Sequence, residues 1–305
     1  MSNIPATMKT PAAQRWDGHH RGVVLQIKIT NVCDLDCRAC TSAVGLAKKL
    51  HRQWMMTPDQ FRKACQSLKG YQGVVGLFGG NPTLNKWFPE ICAIFREEFP
   101  DKTQRGLWSN RLFGHGPLCR ETFHGPHSNI NVHRNQAAYD EIRRDWPEAN
   151  PFGQARKSIH GSWWTAMSDL IPDEAERWKL IGKCWVNQTW SAEITVINGE
   201  LRGFFCEFAA TMAEFADLEK FDHLGLPVVP GWWDQDIEFY ADQINHYCHR
   251  CGAPMNPRKV EDLSNEPEDF TKTHSPIFLT IKGRPARLVE SREQVETSEP
   301  ATAYV

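Results

Sequence analysis

The chain has 305 residues and a formal charge of -2, with hydrophobic and charged fractions of 41% and 24%. That composition excludes a wholly disordered chain, and the near-neutral balance argues against general nucleic-acid binding or attachment to a charged membrane surface. No apolar run approaches a membrane span and the opening residues lack a signal-peptide core, so a cytoplasmic protein without membrane partners is expected.

Residues 1–22 are aperiodic and read as an N-terminal tail or an arm lying over the surface, with His19-His20 exposed in it. From Val23 an apolar strand (VVLQIKIT) leads into a Cys-rich loop. Thr57-Pro58-Asp59-Gln60 predicts a helix start, with Thr57 as N-cap, Pro58 in the first turn and Gln60 completing a capping box. The run VVGLFGG (74–80) predicts a buried strand, and Asn85 is placed to cap the helix after it. Further strands are read at RGLWSN (105–110), NINVHR (129–134) and ARKSIHG (155–161). Strands alternating with helices predict an α/β fold with a parallel sheet. The connection around 111–128 is too short and too rich in Gly and Pro for a full crossover helix, which fits an incomplete barrel.

After a helical stretch at 172–182 the pattern changes, and a boundary is placed near 171. SAEITVI and ELRGFFC flank Asn198-Gly199, a strong hairpin signal. Helices at EFAATMAEFADLEKF and DIEFYADQINHY follow, and the second ends at another Cys pair. The reading is thus a core over 23–170, a hairpin-plus-helix module over 171–255, and a C-terminal extension over 256–305 that is charged and aperiodic from about Pro285.

Ten cysteines without an export signal point to metal rather than to disulfides. Cys65 and Cys92 fall in helical apolar patterns and Cys119 stands alone, so these three read as structural. The other seven form two sets. Cys33, Cys37 and Cys40 lie on one loop directly after a strand, at Cys-x3-Cys-x2-Cys spacing. Three thiolates can hold three irons of a 4Fe–4S cluster and leave the fourth open, whereas zinc favours closed sets of four. Cys184, Cys206, Cys248 and Cys251 form the second set, able to close around either zinc or a cluster.

The first loop resembles that of the radical S-adenosylmethionine (SAM) superfamily. The resemblance implies a partial (β/α) TIM-type barrel in which SAM chelates the open iron and is cleaved reductively to a 5′-deoxyadenosyl radical. Leu77-Phe78-Gly79-Gly80-Asn81-Pro82 is similar to that family's Gly-Gly-Glu-Pro motif, which receives the SAM ammonium, with Asn81 in place of the usual Glu. Ala39 stands where the family carries an aromatic residue against the adenine. Ser109, Asn110, His133 and Arg134 end strands, where family members place polar groups for the SAM ribose and carboxylate. The second Cys set resembles the twitch module, the shortened relative of the SPASM domain, in a layout closest to the scyllo-inosamine dehydrogenase branch.

The resemblance implies oxidation of a small polar substrate (a sugar, aminocyclitol or nucleoside), with a four-Cys auxiliary cluster taking the electron. It also implies a flavodoxin- or ferredoxin-type electron donor. His160, ending the fifth strand, is a candidate general base, although a lone His is more often structural. The Trp163-Trp164 and Trp232-Trp233 doublets read chiefly as packing. Peptide modification stays open but would need a recognition domain that residues 1–22 are too short to form, and redox-neutral epimerisation or rearrangement stays open too. The non-enzymatic alternative is a zinc-stabilised binding protein.

Overall fold

A computed structural model describes residues 3–16, 22–35, 37, 40–133, 135–153, 159–161, 164, 166–189, 192–215, 224–255 and 259–261. The first half runs β1 (Arg15–Trp16), β2 (Gly22–Thr30), α1 (Val44–Lys49), α2 (Pro58–Ser67), β3 (Val74–Gly79), α3 (Phe88–Glu98), β4 (Arg105–Ser109), α4 (Gly116–Thr122), β5 (Asn129–Ile130) and α5 (Gln136–Asp145). The second half runs β6 (Ile159–Gly161), α6 (Met167–Leu170), α7 (Glu174–Ile181), α8 (Trp185–Thr189), β7 (Ala192–Ile197), β8 (Glu200–Phe204), α9 (Glu207–Phe215), β9 (Leu226–Pro227), α10 (Ala241–Tyr247) and β10 (Lys259–Glu261).

The main sheet has the order β5-β4-β3-β2-β7-β8-β9, with β1 paired to the start of β2. Strands β5, β4, β3, β2 and β7 are parallel, and β8 and β9 are antiparallel additions. The fold is therefore mixed α/β on a mostly parallel sheet, as the alternation of elements predicts. The hairpin β7–β8 continues this sheet beside β2, so the 171–255 segment shares a sheet with the 23–170 segment.

Register explains which side chains reach which face. Ile27 pairs with both Leu77 and Ile194, and Leu77 pairs with Leu107. These residues join Phe61, Phe88, Ile91 and Phe95 of α2 and α3 in the large apolar core. The alternate residues of β2 point to the opposite face, because side chains alternate along a strand. There Val24 packs with Val74 and Trp108 in a separate small cluster, and Gln26 and Lys28 are fully buried.

Local signals account for several boundaries. Thr57 accepts from the backbone of Gln60 at 3.3 Å while the Thr57 backbone donates to Gln60 at 3.0 Å, which is the expected capping box. Asn198 and Gly199 have φ of 51° and 83°, the paired positive values of a tight hairpin turn. Asn85 does not cap α3: Trp87 takes that position, and Asn85 Oδ1 accepts from the Trp87 backbone just before it.

The fifth parallel strand is a correction. It is β7 rather than 155–161, of which the described part, β6, pairs with β10 in a separate two-stranded sheet. A strand packed on the core needs apolar residues at every second position, which Ala192, Ile194 and Val196 supply and ARKSIHG lacks.

The arm over residues 3–14 is fastened down. Lys9 N donates to Asn187 Oδ1 at 2.8 Å, and Asn187 Nδ2 donates back to Lys9 O at 2.9 Å. Thr7 Oγ1 donates to Gly182 O at 2.7 Å, and Gln14 Nε2 donates to Phe205 O at 2.8 Å. Among the described residues no helix is long and apolar enough to cross a membrane.

Candidate functional site

The three-thiol loop leaves the C-terminal end of β2. Its base is pinned from below: Thr30 Oγ1 and the Asn31 amide both donate to Trp54 O, and Asn31 Oδ1 accepts from Trp54 N at 2.8 Å. No local pattern around Asn31 signals this role, because its partner Trp54 lies on the far side of the loop. The loop exit is held by Ser42 Oγ donating to Gly79 O at 3.1 Å, so loop and glycine pair form one unit. Cys37 is buried, while Cys33 and Cys40 are partly exposed. Burial pushes the Cys33 thiol well above the ordinary range; the Leu35 amide donating to its sulfur opposes this, and Asp34 and Cys40 lie within electrostatic range. Cys37 Sγ is 4.0 Å from His133 Nδ1, and His133 takes a left-handed backbone with φ of 45°. Ala39 and Arg134 lie outside the described residues.

Gly79 and Gly80 are needed, but for a reason the sequence did not expose. A Cβ on Gly79 would sit 2.1 Å from Thr30 O, and one on Gly80 would sit 2.2 Å from Val32 O. The two glycines thus let the end of β3 press against the root of the Cys loop, where Gly80 N donates to Thr30 O and Asn81 N to Val32 O. Asn81 is fully buried before Pro82, and its Oδ1 accepts from Thr83 Oγ1 at 2.8 Å and Ser109 Oγ at 2.9 Å. Its Nδ2 donates to Arg111 O at 3.2 Å. Asn81 and Ser109 therefore tie the ends of β3 and β4 together. Asn110 Nδ2 donates to Asp34 Oδ1 on the Cys loop at 3.0 Å, while its own Oδ1 is buried without a partner.

The four remaining thiols, Cys184, Cys206, Cys248 and Cys251, are buried and line one cavity. Met8 of the arm, Phe208, Ala209 and Met212 of α9, and Tyr247 complete its apolar wall. Cys206 lies within electrostatic range of Cys184 and Cys251, and Cys248 of the same two. Burial raises all four thiols, so a positively charged centre is what would hold them as thiolates. Among the described residues no three His, Cys, Asp or Glu side chains converge on a single metal-ion position. Cys65, Cys92 and Cys119 also belong to the main core but do not line this cavity, and burial pushes Cys92 up to about 12.

One aromatic pair spans the space between the two thiol sets. Trp164 Nε1 donates to Cys40 O at 3.1 Å, and the Trp164 ring meets Phe208 edge-on at 5.5 Å. Phe208 in turn lines the four-thiol cavity. Trp232 and Trp233 have a packing role, with Trp233 Nε1 donating to Ser67 O at 3.2 Å.

A buried polar group lies on the sheet face opposite the main core. Lys28 Nζ meets Glu214 at 2.8 Å, Thr195 Oγ1 donates to Glu214 Oε1 at 2.6 Å, and Gln26 Nε2 donates to Glu207 Oε2 at 2.7 Å. Glu193 pairs in register with Gln26 and is fully buried. Burial raises the Glu193 carboxyl well above its ordinary value; Lys28 opposes this, and Glu214 and Glu207 reinforce it. For Lys28 burial works downward, but Glu214 and Glu193 outweigh it and hold the pKa raised, with Cys40 adding to them. Both Glu193 oxygens, Gln26 Oε1 and Glu214 Oε2 have no hydrogen-bond partner among the described residues. An unmet buried acceptor costs about 1–3 kcal/mol, so this group calls for protons or for a ligand rich in donors. Sequence reasoning missed it, although Gln26 and Lys28 interrupt an apolar strand and Glu207, Thr211 and Glu214 share a helical stripe. His160 is in β6, where its backbone pairs with Val260, apart from the main sheet.

No family model and no curated protein matches the chain. Among solved structures it is similar to BtrN, crystallised in complex with AdoMet and 2-DOIA. That likeness has 13% identity and a TM-score of 0.45, and it covers 74% of this chain and 88% of that one.

Proposed function

We propose that the protein is a radical SAM enzyme with two iron–sulfur clusters that oxidises a small, hydroxyl-bearing substrate. The observation that carries this reading is the pairing of two thiol sets of different type around one sheet. Three thiols stand on a loop at the C-terminal end of β2, and four buried ones line an apolar cavity. The donors fit the groups: thiols are the usual ligands of 4Fe–4S clusters, and a set of three leaves one iron open to an outside ligand. Asn110 Oδ1, buried and unmet beside the Cys loop, supplies an acceptor for a bound molecule.

Cys33, Cys37 and Cys40 would hold the first cluster, which with SAM supplies a hydrogen-abstracting radical. Cys184, Cys206, Cys248 and Cys251 would hold the second, a one-electron acceptor with no iron left for substrate. The β2–β5 strands with their helices serve as a partial barrel in this reading, and reduction comes from a flavodoxin- or ferredoxin-type partner. Residues of the chain bind, orient and exclude water around this chemistry.

Anaerobic reconstitution tests the assignment. Wild type should hold about eight irons, and a Cys33/Cys37/Cys40→Ala variant about four, still with a 4Fe–4S signal. About four in wild type and none in the variant would assign the second set to zinc and remove the electron-acceptor role. Carbon-deuterated myo-inositol, D-glucosamine and adenosine then sort the substrate class by deuterium transfer into 5′-deoxyadenosine.

A further inference from the structure

The mechanism needs a group that takes a proton from the substrate, and α9 points to where it sits. One side of α9 lines the four-thiol cavity through Phe208, Ala209 and Met212. Glu207, Thr211 and Glu214 lie on another stripe and face β2 and β7. There Lys28, Glu214 and Glu207 lie within electrostatic range of Glu193, and all four side chains are buried. Glu214 is taken by Lys28 and Thr195, and Glu207 by Gln26. Glu193 alone of these three carboxyls has both oxygens unmet among the described residues. Lys28, its neighbour on β2, is within electrostatic range of Cys40 on the three-thiol loop. Trp108 shares this sheet face, and a Cβ on Gly76 or Gly106 would collide with its ring.

We propose that Glu193 is the catalytic residue that accepts the hydroxyl proton of the substrate once hydrogen has been removed from the adjoining carbon. The substrate O–H bond breaks, a carboxyl O–H bond forms on Glu193, and the bonding pair stays on the substrate oxygen. This rests on the oxidative reading above and assigns to β7 the role that the sequence offered to His160. Glu193 suits the task because it pairs in register with Gln26 on the strand that leads into the three-thiol loop, within electrostatic range of the helix that walls the four-thiol cavity. Burial and the neighbouring Glu214 and Glu207 raise its affinity for a proton, while Lys28 restrains the rise. The base is competent only when ionised, so product formation should rise with pH through a limb above the ordinary carboxylate range.

Two measurements on the reconstituted full-length protein test this. The first needs no substrate: infrared spectra of glutamate-labelled protein should show a protonated carboxyl that titrates above the ordinary range. That band should vanish in Glu193→Gln, survive in Glu214→Gln, and move to higher pH in Lys28→Met. A spectrum unchanged by Glu193→Gln, or a carboxyl that never titrates, would overturn the assignment even if the oxidative reading stands. The second uses whichever deuterated probe wild type turns over. Glu193→Gln should lower product at least 100-fold, with deuterium transfer into 5′-deoxyadenosine falling far less. Equal losses of both, or product within twofold of wild type, would also overturn it. Failure of all probes in wild type would instead count against the oxidative reading and leave the infrared result to decide for Glu193.

Discussion

The two thiol sets are held by opposite means. Cys33, Cys37 and Cys40 sit on a loop whose position comes from hydrogen bonds of Thr30, Asn31 and Ser42 to the backbone of Trp54 and Gly79, with two of the thiols partly open. Cys184, Cys206, Cys248 and Cys251 are buried and embedded in the apolar core itself. A loop fixed by directional bonds keeps a face free for an incoming molecule. A cavity fixed by packing keeps its four thiols away from solvent. The difference teaches that the first set is open to approach and the second is shielded, which suits the separate roles proposed for them.

Serine substitutions would sharpen that contrast most. Changing all four cavity cysteines to Ser places four hydroxyls in an apolar chamber, each costing about 1–3 kcal/mol if unmet. The same change at Cys33, Cys37 and Cys40 should cost less, about 1–3 kcal/mol in all, because only Cys37 of the three is buried. Anaerobic denaturant melts of the metal-free proteins read the difference, and equal losses would break the comparison.

Next in size is Met8→Ala. Met8 is buried against the four-thiol cavity, so its loss should cost about 2–3 kcal/mol. It should also speed iron release from the second site under a chelator while leaving the first unchanged. Equal rates at both sites would mean that the arm insulates neither.

Trp164→Phe is the smallest change and probes the link between the two regions. It removes the hydrogen bond to Cys40 O but keeps the ring against Phe208. A loss of about 1 kcal/mol is expected, together with a changed EPR line shape for the first cluster alone. A change confined to the second cluster would contradict the hydrogen bond as the coupling element.

What could be read from the sequence was whatever depends on near neighbours. The Cys spacing, the Thr57–Gln60 capping box and the Asn198-Gly199 turn each act within a few residues, and their chemistry is written locally. The pairing of β2 with β7 is not, because nothing in VVLQIKIT names a partner far along the chain. Gly79 and Gly80 were legible as important but not in their purpose, since a close approach shows only when the facing backbone is known. Glu193 was invisible for a related reason: its significance comes from Lys28 on β2 and from Glu207 and Glu214 on α9, two elements that the fold brings to it.

The β2–β7 pairing also has a consequence in time. Leu25 meets Ala192 in the finished sheet, yet β3, β4 and β5 are all synthesised in between. At ribosomal speeds of about 5–20 residues per second, β2 spends roughly ten to thirty seconds with that edge uncovered. Lys28 and Gln26, buried at the end, face solvent or a chaperone until then. The polar residues that later serve the site would keep the nascent strand from pairing with the wrong chain, as charged residues do on exposed sheet edges.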